Sequence, residues 1–94
     1  MYKHVNATIG TTPTLVVTIP AGNPTTVIGV QNNHSGSIYL GDDTIATSGA
    51  TQGLTVAAGA YVSLWLNSLD ELYAISASAT ATGAVKVVYS SVVG

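Results

Sequence analysis

At 94 residues the chain is long enough for one domain with a modest core. Its charge is sparse: Lys3 and Lys86 stand against Asp42, Asp43, Asp70 and Glu71, for a net charge of −2, while 47% of residues are apolar. That balance excludes charge-driven disorder, a phosphate-binding nucleic-acid footprint and polybasic membrane attachment, and the absence of cysteine excludes disulfides and thiol chemistry.

No stretch reaches the roughly 18 apolar residues of a membrane span, and the opening MYKHVNATIG lacks the apolar block of a signal peptide. A soluble chain, not exported by a signal, is the expectation. Residues 1–12 are polar and read as an N-terminal arm, with residues 13–94 forming one β domain.

Short β-branched runs separated by turn residues indicate an all-β fold. The first expected strand is TLVVTI, residues 14–19, with Leu15, Val17 and Ile19 on one face, ended by PAGNP. TTVIGVQN, residues 25–32, sets Ile28 and Val30 against Val27, Gly29 and Gln31. After the turn NHSG, the run SIYL, residues 37–40, is expected to pair with it as a hairpin, Ile38 and Leu40 inward and Tyr39 outward.

Residues 44–60 are rich in Thr, Ala, Ser and Gly and read as a long connection between sheets, containing the short stretches TIAT and LTV. AYVSLWLN, residues 60–67, alternates most clearly: Val62, Leu64 and Leu66 on one face, Tyr61, Ser63, Trp65 and Asn67 on the other. A turn at SLDE leads to LYAISASA, and AVKVVYS, residues 84–90, places Lys86 opposite Val85, Val87 and Tyr89. Five or six main strands with one long crossover suit a two-sheet antiparallel β-sandwich of Greek-key or jelly-roll type.

The string YLGDD resembles the metal-binding hairpin of viral RNA polymerases, but a chain of 94 residues cannot house a polymerase. Adjacent strand side chains point to opposite faces, so Asp42 and Asp43 reach one ion only from a turn, and an oxygen-ligated cation needs further ligands. A solvated turn is the expectation there. His4 and His34 lack a His, Cys or carboxylate at the spacing of a metal motif, and no Ser is marked as an activated nucleophile. No catalytic, cofactor or metal residue is assigned, and the chain is read as non-enzymatic.

Tyr61 and Trp65 share one strand face and admit three roles: core filling, a subunit interface or a sugar-stacking platform. Tyr39, on another candidate outward face, joins them as an interface candidate. The uncharged surface favours burying strand edges in a closed homo-oligomer, a trimer foremost.

The order GVQNNHSGSIYLGDDTIATSGATQGLTVAAGAYVSLWL, followed by LYAISASATATGAVKVVY, resembles small virion proteins of tailed bacteriophages. The features that carry the resemblance are Asn32, Gly36, Ile38 to Gly41, Thr47 to Gly49, Leu54 to Gly59, Val62 to Leu66 and Leu72 to Ala77. It implies a β-sandwich decoration or cement protein, binding as a trimer to the major capsid protein on the outer surface of the virion after synthesis in the host cytoplasm. On that reading Tyr2, Lys3, His4 and Val5 of the arm are candidate capsid contacts. A carbohydrate-binding module, free or displayed on a virion and contacting surface glycans, is the alternative.

Overall fold

The computed structural model describes residues 2–80 and 83–90, and it is all-β. Eight strands occur in chain order: β1 Tyr2–Ala7, β2 Thr14–Thr18, β3 Thr26–Asn32, β4 Ile38–Gly41, β5 Leu54–Val56, β6 Tyr61–Leu66, β7 Glu71–Ser76 and β8 Val85–Ser90. They form two four-stranded sheets, ordered β1-β8-β3-β6 and β2-β7-β4-β5, and every pairing is antiparallel. The pairs β1·β8, β2·β7, β3·β6 and β4·β5 nest one inside another, which is an antiparallel ribbon rolled upon itself. That is the double Greek-key order of a jelly roll.

The core lies between the sheets. Ile28, Val30, Val85 and Val87 of the first sheet meet Ile38, Leu40, Val56, Leu72 and Ala74 of the second, as the alternation of each strand requires. Asn32, also fully buried, closes one end of this interior: its Nδ2 donates to the carbonyls of Gly36, Val56 and Ala57, and its Oδ1 accepts the amide of His34. The opposing carbonyls are thereby satisfied without water.

Three sequence expectations change. Residues 1–12 are not a free arm: β1 pairs along its whole length with β8, and Ala7 and Ile9 are buried in the core. The run 25–32 and the run 37–40 do not form a hairpin, because β3 and β4 lie in different sheets and the NHSG turn crosses between them. The connection over residues 44–60 does cross between the sheets, as the sequence reading has it: its LTV stretch pairs with β4 as β5, and the crossing itself falls between β5 and β6. Finally, a register shift between Leu15 and Val17 changes the phase at the start of β2: Val16 is buried and Leu15 exposed, while Val17 and Ile19 point inward as their alternation requires.

The β4–β5 loop folds over the outer side of the second sheet. A Cβ on Gly41 would collide with Ile45 Cγ2, so the glycine makes room for this buried isoleucine. The outer side of the first sheet has no such cover over Tyr61 or Trp65, which are 65% and 72% exposed.

Candidate functional site

The first sheet's outer face is built from the side chains that alternation turns away from the core. Its register aligns them in rungs across four strands. Asn6 is paired with Lys86, Lys86 with Gln31 and Gln31 with Tyr61. The next rung runs His4, Val88, Gly29, Ser63. Beyond it, Tyr2 is paired with Ser90 and Val27 with Trp65.

An open groove of about 660 Å³ crosses this face, lined among others by Tyr2, Val27, Gly29, Gln31, Tyr61 and Lys86. Gly29 determines its shape. A Cβ there would stand 3.0 Å from both Cε2 and Oη of Tyr61, tighter than nearly all such contacts, so the glycine lets the ring approach β3 closely and a larger residue would push it outward. Ser63 Oγ donates to Tyr61 Oη at 2.9 Å and pins the phenol in that pose. The result is an aromatic side chain reaching over β3, with amide, ammonium and hydroxyl groups on its flank.

Of the residues singled out in the sequence, Tyr61 and Trp65 stand together here and are not core-filling. Tyr2 and His4 share the face with them, an association that no local pattern announced. Lys3 and Val5 occupy the alternate positions of β1 and are half-buried, with Lys3 opposite Tyr89 and Val5 opposite Val87. Tyr39 is separated from the group: it lies on the second sheet, half-buried, between Thr55 and Ile75. Gly29, Gln31, Lys86, Val88 and Ser90 were legible as outward positions of their strands, but only the pairing brings them into one groove.

Asp42 and Asp43 occupy the turn after β4, both exposed. Asp42 Oδ1 accepts from Thr44 Oγ1 at 2.6 Å and from the Thr44 amide at 2.9 Å, a local Asx turn. The Thr44 hydroxyl, then its amide, hold the Asp42 carboxyl below its ordinary pKa by favouring the charged form. Among the described residues, no group of three or more His, Cys, Asp or Glu side chains is placed to hold a metal ion. His34 turns its ring toward Gly36 and donates its amide to Asn32, away from His4 on β1.

No family model, characterised protein or solved structure matches the chain. The functional reading therefore rests on the residues themselves.

Proposed function

We propose that this chain is a non-enzymatic structural protein of a phage virion, a capsid decoration or cement protein that assembles as a homotrimer on the major capsid protein shell and stabilises it. The observation that carries this reading is the open edge at β6. Among the described residues this strand has no partner beyond it in the sheet, and it carries no charge and no proline, the devices that ordinarily guard an edge. Val62, Leu64 and Leu66 point toward the core yet stay half-exposed, and Leu54, on the edge strand of the other sheet, is 50% exposed. An apolar seam of this kind is what a neighbouring subunit covers, and repetition around a shell turns modest contacts into avidity.

Light scattering coupled to size exclusion tests the assembly, and co-sedimentation with expanded phage capsids tests the docking. A stable trimer that co-sediments is the expected result, with loss of both in a folded Leu64→Lys variant, whose charge would have to be buried in the seam. A clean monomer at micromolar concentration that does not bind capsids overturns the reading.

A second reading, a carbohydrate-binding module displayed on the virion or free, is favoured by the groove over Gly29. The two are compatible, since they use different surfaces of the molecule: the edge seam and the outer sheet face.

A further inference from the structure

The groove over Gly29 has a chemical bias that the carbohydrate reading alone does not contain. The sequence has four acidic residues, and none is on the outer face of the first sheet: Asp42 and Asp43 lie in the β4–β5 loop, Asp70 in the turn after β6, and Glu71 on β7 of the second sheet. Lys86, in contrast, lines the groove itself, flanked by Asn6 on one side and Gln31 on the other. The face is thus neutral to cationic, on a protein whose net charge is −2.

The floor also restricts the kind of ligand. β8 is paired on both sides, with β1 and β3, and β3 with β8 and β6, so their backbone groups are already engaged. A peptide cannot add a strand there, and recognition falls to side chains. Those side chains are the Tyr61 phenol, a second tyrosine at the far end, an amide, an ammonium and a serine. A pyranose ring presents the complement: an apolar C–H face for the aromatic surface and a hydroxyl rim for Gln31 and Ser90.

We propose that the outer face of the first sheet is a binding site for a carboxylate-bearing saccharide, of the uronic or sialic acid class, stacked on Tyr61 and paired through its carboxylate with Lys86. The inference rests on the carbohydrate reading above and adds to it the charge of the ligand and the residue that selects it. Ammonium–carboxylate hydrogen bonds are the strong ones in such sites, so Lys86 supplies discrimination and the aromatic surface supplies contact.

The test is an NMR titration with glucuronic acid oligosaccharides and, in parallel, their neutral glucose counterparts. The expected result is movement of the Gly29, Gln31, Lys86 and Val88 amides, with the acidic sugar bound about tenfold more tightly, a ratio set by one charge-assisted hydrogen bond. Lys86→Gln should erase the ratio by weakening the acidic sugar to the level of its neutral counterpart, and Tyr61→Ala should weaken both. Gly29→Val, whose side chain displaces the Tyr61 ring, should weaken both as well; the dispersion of its amide spectrum reports whether it folds.

Equal binding of the two sugars by the parent protein, or an unchanged ratio in Lys86→Gln, overturns the assignment of the charge. Absence of any shift overturns the site, and shifts at this face that follow protein concentration instead of sugar overturn it by making the face a contact between copies of the chain. Trimer formation and capsid co-sedimentation are read in separate experiments, so either proposal can fail while the other stands.

Discussion

Asn32 Nδ2 donates to the carbonyl of Val56 at 3.0 Å, and this bond joins the end of β3 in one sheet to the end of β5 in the other. The same amide group reaches Gly36 and Ala57, so one buried side chain ties the β3–β4 corner to the β5–β6 crossing. Asn32→Leu removes the donor and strands buried carbonyls, and it should cost about 2–4 kcal/mol in urea unfolding. Asn32→Asp is the more specific variant. Its carboxylate would face three carbonyl oxygens, so its folded pKa would rise above the unfolded value of about 3.9. Protonation is then favoured by folding, and the variant should regain stability as pH falls through that raised folded pKa, the reverse of ordinary acid destabilisation.

Leu69 sits at φ 68°, with its side chain 65% exposed, in the turn between β6 and β7. A branched side chain in the left-handed region is strained by about 1 kcal/mol, and little packing offsets it here. The turn's hydrogen bonds come from elsewhere: the Leu69 amide donates to the Ile19 carbonyl at 2.9 Å, and Asp70 Oδ2 accepts the Asn67 amide at 2.7 Å. Leu69→Gly and Leu69→Asn should therefore raise the urea midpoint, by an amount equivalent to roughly 0.5–1 kcal/mol, with an unchanged slope. A lower midpoint in both would show that the exposed leucine contributes contacts that outweigh its strain.

The Asp42 turn makes a prediction in pH. Because the Thr44 hydroxyl and amide stabilise the carboxylate, its folded pKa is depressed, so the associated stability is present above the unfolded pKa and is lost as pH falls through the folded one. Carboxyl chemical shifts should place the Asp42 midpoint below the ordinary value of about 3.9, and Thr44→Val should move it upward. The double variant Asp42→Ala, Asp43→Ala should keep the fold and assembly, with thermal unfolding indifferent to added Mg²⁺ or Ca²⁺ in both proteins. A divalent-ion stabilisation present in the parent and lost in the variant would make the pair a metal site.

Removing residues 1–9 should unfold the domain instead of trimming an appendage. Ile9 is fully buried, its amide donates to Thr80 Oγ1 at 2.9 Å, and its carbonyl accepts the Thr80 amide at 2.9 Å. Loss of a fully buried isoleucine alone is worth about 2–5 kcal/mol, and the β1 ladder goes with it. Loss of the cooperative thermal transition in circular dichroism is the expected outcome; a truncated chain that melts as sharply as the parent would restore the arm.

On the proposed capsid reading, binding through an uncharged seam should resist salt. Occupancy that holds between about 50 and 500 mM NaCl is expected, since screening acts on charges the β6 edge does not carry. A steep fall over that range would move the contact to the few charged side chains.

By itself, the sequence determined which way each strand faces where the strand is regular. Ile28 and Val30, Val62 with Leu64 and Leu66, and Val85 with Val87 point inward as their alternation requires, because a period of two is a property of consecutive residues. The turn at Asp42 was equally local, written in an aspartate and the threonine two places on. Only the tertiary structure decided who pairs with whom. β4 follows β3 closely yet pairs with β5 and β7, and β1 finds β8 at the opposite end of the chain, because partners are settled by which arrangement of all the strands buries most apolar area with every internal hydrogen bond made. The β2 bulge shows the same competition inside a strand, where burying both Val16 and Val17 overrides simple alternation. The groove belongs to this second class: Tyr2, Gly29, Tyr61 and Lys86 lie on four different strands, and no local pattern of the chain could have placed them on one face together.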